Sequence, residues 1–571
     1  MKKYLPWLGL SAAAGAFIFP IHNPDLWWHL GAARFMAQEG RLPRADFLSH
    51  TMAGAPWLDF EWLAQLLYRA VFSAAGCGGL VALRALLMLL TVGAVLRLLR
   101  LHGAGPAGRG LAALLLAAAL FPFADLRPDN FSLLFFAVLN LGLEARRLER
   151  IRLDCRVALA VVGLFALWAD LHLGLVFGLV LAACYAAGEA AEALLPAVYG
   201  RGPAGPWLRC GDYLKVAALG VLGSLLNPYG WRLYAVAVHH ARSLDLLQGV
   251  ICEWMPPDLT RRWTWPYGGL LLLSLGGMLA HFIKTRRTPY ALMIAVGYFG
   301  LASSAYQRHL SYFCLVAVPA LFWTLRDLQS SDKPMRVLGW GAGVLAALLA
   351  AFLACYVWPF AFPLARGACP PAARGMAAFL AAEAGGIKGR RLYNSWADGG
   401  YLGLVLHPRY RVFFDGRYIF HPLLAEVRGA ARSAAAWQGL MDRYGVDVAC
   451  LKLSRKGSTV EAVPGKGGAR TVVGRPYYVT YMPRKDWALV YWDADNLVLV
   501  RRARADPQWL RRNEYMFLAP DDQPFLAELL RQGRVPAARL REEMARHLRP
   551  SPLAVGDGDA LFDSACRSLN R

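Results

Sequence analysis

Charged and hydrogen-bonding side chains cluster at the ends of long apolar runs in this sequence. Asp25 and His29 lie in "NPDLWWHL" (23–30), directly after the first such run. Asp59 and Glu61 form an acid-x-acid pair in "LDFEWL". Asp125, Arg127 and Asp129 share "DLRPDN", and Asp170 and His172 share "WADLHLG" (168–174). Glu253 and Trp254 fall in "CEWMPP" (252–257), and Arg308 in the turn near 306–309. A carboxylate so placed suits proton abstraction from a hydroxyl or orientation of a nitrogen nucleophile. An arginine fork matches phosphate oxygens, and a charge in a short turn between apolar runs is costly without a partner. Arg127 and Arg308 therefore read as anion ligands, with an internal salt bridge of Arg127 to Asp125 or Asp129 as the equal alternative.

Such residues need a scaffold, and composition says which kind. The chain has 571 residues, 57% of them hydrophobic, with a mean hydropathy of +0.34. That is too apolar for an ordinary soluble protein and indicates many membrane spans. The formal charge of +23 comes largely from short Arg/Lys clusters between apolar runs, the pattern that orients a multi-span protein. No zinc-finger spacing or basic–aromatic array accompanies it, so nucleic acid is not an expected partner. The ten cysteines are scattered without a CxxC pair and read as small core residues, with no disulfide framework implied.

Taking about 20 apolar residues per span, spans fall near 4–20, 78–99, 110–124, 131–146, 156–169, 173–190, 213–227, 267–283, 289–306, 310–326 and 336–358. The expectation is a polytopic α-helical membrane protein of about 11 transmembrane helices. The N-terminal run also has the makeup of a cleaved signal peptide; it is read as a retained span because it continues to Pro20 and the remaining topology accommodates it. The clusters at "MKK", 97–109, 146–156, 283–287 and Lys333/Arg336 share one face, which the positive-inside rule makes cytoplasmic. The opposite face, periplasmic in a bacterial inner membrane, then receives the loop 21–77, the short turns, the loop 228–265 and everything after 360.

In the first loop, Asn23 is a good N-cap and Pro24 fits the first helical position. Asp25 then sits where the helix dipole favours an anion, with His29 four residues on along the same face. A second helix is expected at 58–72. Asp59 and Glu61 at its head can face one ion only in a loop conformation, since positions two apart on a helix diverge; capping is their other reading. After 360 the sequence alternates β-rich and helical runs. It reads as a soluble α/β domain (361–505), with strands at 446–453, 487–493 and 496–502 and a helical C-terminal tail (506–571). Asp415 and Arg417 end an expected strand in "VFFDGR" and read first as a turn salt bridge. No glycine-rich phosphate loop occurs in this domain.

The membrane part (1–360) resembles GT-C superfamily glycosyltransferases. These are multi-span enzymes with a large external first loop, two interfacial helices and an acidic residue just after the first span. "NPDLWWHL" followed by "RLPRADFLSHTMAGAPWLDFEWL" carries the resemblance. It is closest to a group of bacterial multi-span proteins with an Asp-x-Trp-Trp-His opening. Their pattern recurs in "LRPDNFSLLF", "LWADLHLGLVFGL", "LLNPYGWRLY", "CEWMPP" and "NSWADGGYL…VFFDGR". The order of these motifs is more specific than any one of them. The likeness covers about residues 4–420.

The resemblance implies transfer of a sugar from a polyprenyl-phosphate carrier to a periplasmic glycan, lipid or protein, with inversion. Asp25 matches the first-loop acid and is the expected base. His29 would hold Asp25, touch phosphate or ligate metal, unless it is a structural histidine, and Glu61 completes the expected catalytic set. Arg127, Arg308 and His172 would bind the donor phosphate. Asp59, Asp129, Glu253 and Trp254 are candidates for a second acid or the acceptor side. Asp125 and Asp129 lie where oligosaccharyltransferases carry a second acidic motif, but with different spacing and an arginine inside. No cofactor is expected; a divalent metal is the less favoured option. The competing readings are an oligosaccharyltransferase or ligase using lipid-pyrophosphate glycans, and a non-catalytic transporter of lipid-linked intermediates.

Overall fold

The apolar runs become helices in the computed structural model, which describes residues 4–195, 205–285, 289–329, 335–361, 368–371, 373–453, 458–464 and 470–548. Lys2, Lys3, Arg286, Arg287 and Lys333 of the orienting clusters, and the end of the expected tail, lie outside the described residues. The chain divides into two compact units. One comprises Met1–Asn23 and Leu58–Pro370; the other comprises Pro24–Trp57 and Pro371–Arg571. Much of the first loop is therefore part of the second unit.

In the first unit every expected span coincides with a helix. Five helices among the described residues are long and apolar enough to cross a membrane: Trp62–Leu101, Pro106–Phe123, Leu175–Leu194, Arg262–Thr285 and Gln307–Leu325. Tyr290–Ala305 and Gly343–Val357 are shorter apolar helices. The helix Trp62–Leu101 is broken at Ala75 and Gly76, where Gly76 takes φ 57°. Only glycine adopts that conformation without strain, so the expected interfacial segment and the following span are distinct pieces.

Arg84 is fully buried inside this second span, where an unpaired charge would be expensive. Its Nη1 donates to Asp125 Oδ1 at 3.0 Å, and its other nitrogens donate to the Phe17 and Phe19 carbonyls. Asp125 Oδ2 in turn accepts from the His22 amide at 2.9 Å. The exit of the first helix is thereby locked to the 125–127 turn. A disulfide joins Cys77 and Cys369, correcting for these two the expectation of small core residues with no disulfide framework implied.

In the second unit, strands β1 (Leu392–Tyr393), β2 (Val448–Lys452), β5 (Trp487–Trp492) and β6 (Asn496–Arg501) form a sheet of order β1-β2-β6-β5. β1 runs parallel to β2, and the other pairs are antiparallel. β3 (Ser458–Pro464) and β4 (Arg470–Pro476) form a separate hairpin that sequence reading missed. The expected helical tail contains the helices Pro507–Asn513, Gln523–Arg531 and Ala537–Leu548.

The first-loop helix is Asp25–Glu39, capped at Pro24 without a side-chain bond; Asn23 instead donates to the Leu126 carbonyl within the first unit. This helix packs on Trp396–Leu406. Ser49 pairs with Val412 in an isolated parallel bridge, with His50 N donating to Val412 O at 3.0 Å. The segment 412–417 is thus not the strand expected from its apolar pattern, and its pairing is limited to isolated bridges at Arg411 and Val412.

Candidate functional site

In the first unit, five helix ends and turns bring most of the singled-out side chains together. Arg127 lies in the turn before helix Asp129–Arg147, and Arg308 lies in a 3₁₀ turn before helix Leu310–Gln329. Both are joined to Glu253, which sits on its own 3₁₀ turn, Cys252–Trp254. Arg308 Nη1 donates to Glu253 Oε1 at 3.1 Å, while Arg127 Nη1 donates to Oε2. Arg127 is therefore engaged in an internal salt bridge, with Glu253 as a partner from a distant loop. Asp125 is taken by Arg84, a partner invisible without the fold.

Burial alone would raise the Glu253 carboxyl, but Arg127 and Arg308 outweigh it and hold the group down at about 2. Glu253 is thus an anion at any working pH. The Arg308 guanidinium also lies 5.3 Å from the centre of the Trp254 ring, a cation–π arrangement that fixes its plane. The turn carrying Glu253 is tied down because Gln307 N donates to Met255 O at 3.0 Å.

His172 forms the second focus. It caps helix Cys155–Leu171, with Nε2 3.8 Å from Glu61 Oε1 and Nδ1 3.4 Å from Asp129 Oδ1. The Gly174 amide donates to Nδ1 at 3.1 Å, and Ser132 Oγ lies 2.7 Å from the same nitrogen. An acceptor at Nδ1 puts the proton of the neutral ring on Nε2. Burial lowers the His172 pKa to about 4, with Arg308, His240 and Arg127 adding to the effect and Asp129 opposing it. The imidazole is therefore neutral at pH 7 and presents an N–H on the side of Glu61. Tyr312 Oη donates to Asp129 Oδ1 at 2.5 Å, and Trp168 Nε1 donates to Ser132 Oγ at 2.7 Å.

Ser132, Trp168 and Tyr312 were not singled out, since residues inside apolar helices look like ordinary core. Arg84 did carry a signal, being an arginine in mid-span. Asp59 is buried and accepts from Gln65 Nε2 of the following helix at 2.6 Å. Asp170 accepts from Trp62 at 3.0 Å. Among the described residues no group of three or more His, Cys, Asp or Glu side chains is placed to hold a metal ion.

Asp25 and His29 belong to the second unit. Asp25 Oδ1 accepts from Trp28 Nε1 at 3.2 Å, and the buried His29 ring lies 3.7 Å from the Trp28 ring, centre to centre. Arg417 is enclosed, its side chain at 0% exposure. It donates to Asp415 through Nε (2.8 Å) and Nη2 (2.7 Å), and to Asp46 Oδ1 at 2.6 Å. The expected Asp415–Arg417 salt bridge is present, with Asp46 as a partner from 371 residues away. Burial would raise the Asp46 carboxyl, yet Arg417 and Ser49 hold it below its ordinary value.

No family model matches the chain, and no curated protein matches its sequence. Its fold is shared with solved structures of the archaeal oligosaccharyltransferase AglB from Archaeoglobus fulgidus. The structure of that protein with an inhibitory peptide and a dolichol-phosphate aligns at a TM-score of 0.52 and 14% identity, covering 100% of this chain and 86% of that one. The apo form aligns at 0.51 and 12%, covering 95% and 86%. The fold is thus shared with that of AglB, mostly helical with a strand-containing C-terminal region.

Proposed function

We propose that this protein is a GT-C glycosyltransferase moving a sugar from a polyprenyl-phosphate carrier to an acceptor outside the cytoplasmic membrane of a bacterium. The observation that carries the reading is the convergence of Arg127 and Arg308 on the two oxygens of one carboxylate. Two guanidiniums gathered in turns at the ends of apolar helices suit a phosphate anchored at the bilayer surface. Glu253 balances one of the two charges in the resting chain.

In this mechanism Asp25 takes the acceptor hydroxyl proton as its oxygen attacks the anomeric carbon. The bond from that carbon to the phosphate oxygen breaks, and polyprenyl phosphate leaves as an anion that the arginines stabilise. Asp25 takes this role by its match to the first-loop acid of the enzymes the sequence resembles. The neutral His172, with Glu61 and Asp129 beside it, orients the donor. Disulfides persist in oxidising compartments, so the Cys77–Cys369 bond supports an external location for the first loop and the segment after 360.

A second reading, transfer of a whole glycan from a lipid pyrophosphate, is favoured by the AglB-like fold. The two are separated with the full chain in nanodiscs, presented with polyprenyl-monophosphate sugars and with polyprenyl-pyrophosphate glycans plus an envelope extract as acceptor. Release of polyprenyl phosphate that requires Asp25 and survives EDTA supports the first reading. Release only from pyrophosphate donors, lost with EDTA, supports the second. Translocation without release would identify a transporter.

A further inference from the structure

Gly416 lies against the carboxylate of Asp25. A β-carbon built on Gly416 would stand 1.9 Å from Asp25 Oδ1 and 3.1 Å from Trp28 Nε1, well inside van der Waals contact. The same Trp28 nitrogen donates to Asp25 Oδ1, so one oxygen of the acid is bounded by an indole N–H and a bare backbone. Gly416 is immobilised in turn, because its neighbours on both sides are clamped to each other. Arg417 holds Asp415 by a two-pronged bond and by its own backbone amide at 3.1 Å. Asp46 ties the guanidinium to the first-loop segment and accepts from Ser49 N at 3.1 Å and Ser49 Oγ at 2.6 Å. The Trp57 and Phe420 rings lie 4.6 and 5.2 Å from the guanidinium carbon.

We propose that the Asp415–Gly416–Arg417 turn, pinned by Asp46, is the device that positions the Asp25 carboxylate for proton abstraction. The inference rests on the reading of Asp25 as base. Three buried charges with a surplus negative one are an expensive way to close a turn, since apolar residues of similar volume would stabilise it as well or better. What the charged trio supplies is a single geometry: the fork of Arg417 fits only when Asp415 and Asp46 flank it in one way. Such a turn can hold a side chain within the fraction of an ångström that catalysis requires. Gly416, Asp46, Asp415 and Arg417 are positioning residues, none of them taking the proton.

The test uses the full chain in nanodiscs with the donor that passes the release assay above. Gly416→Ala is expected to lower kcat at least roughly tenfold, the scale of a displacement of about an ångström, with donor KM within about twofold. Gly403→Ala is the control in the same unit. Its β-carbon would come no nearer than 3.7 Å to its surroundings, in ordinary contact with Val412 and Leu48, and it should leave both constants unchanged. Melting temperatures complete a cycle: Gly416→Ala should cost stability with Asp25 present and little after Asp25→Ala removes the colliding oxygen. Wild-type kcat in Gly416→Ala, or an equal melting penalty in both backgrounds, would overturn the positioning role. Wild-type turnover in Asp25→Asn would overturn the base reading while the melting cycle still reports the seat. If no donor releases polyprenyl phosphate, the transferase reading falls and the positioning role with it.

Discussion

Arg308 donates from Nη1 to one oxygen of Glu253 across 3.1 Å, while Arg127 takes the other oxygen. A charge-assisted hydrogen bond of this kind is worth about 1.5–3 kcal/mol. Replacing Arg308 or Arg127 by Ala is therefore expected to raise donor KM roughly 10- to 100-fold. Glu253→Gln frees both forks from a competing anion and should tighten binding of bare polyprenyl phosphate. Titration of that lipid into nanodiscs, wild type against each variant, checks both directions.

His172 makes stability depend on pH in a defined window. Its folded pKa lies near 4 against an ordinary 6.5, so between these values the unfolded chain binds the proton and the folded one does not. Stability then falls as pH drops from about 6.5 towards 4 and is fully present above 6.5. That difference corresponds to on the order of 3 kcal/mol. A His172→Gln variant should show a flatter profile of melting temperature across that window.

Arg84 is expected to be the most sensitive mid-span position. Arg84→Leu takes the guanidinium away from Asp125 and two carbonyls, and removal of one partner of a buried pair costs about 3–5 kcal/mol. Adding Asp125→Asn should recover part of the loss. Thermal unfolding of the single and double variants in detergent reads both steps, and equal melting temperatures in the two would refute the pairing.

Cys77 and Cys369 should resist alkylation until reduced, whereas exposed Cys155 and Cys252 label at once in detergent. Mass spectrometry of labelled peptides distinguishes these sets. Cys369→Ser should lower the melting temperature, since a long cross-link typically contributes about 2–5 kcal/mol.

Local pattern carried much of the architecture. Apolar runs marked the helices, because a segment that buries or immerses all its faces must satisfy its own backbone. "VDVACLKL", "WALVYWD" and "NLVLVRR" marked β2, β5 and β6 through their β-branched content. "VFFDGR" has the same content but is no strand, since only isolated partners lie beside it.

The sequence by itself placed Glu61, Arg127, His172, Glu253 and Arg308 at helix ends, because charges and turn formers are excluded from apolar spans. Which of them pair was beyond it. Arg127 had two carboxylates two residues away, yet bonds Glu253, 126 residues on; local distance does not decide among partners that folding brings equally close. Arg84 with Asp125, Tyr312 with Asp129, Asp46 with Arg417 and Gly416 with Asp25 are likewise contacts between distant segments. Tertiary structure alone decided these, because each is fixed by the packing of whole helices and turns and leaves no periodicity in the chain.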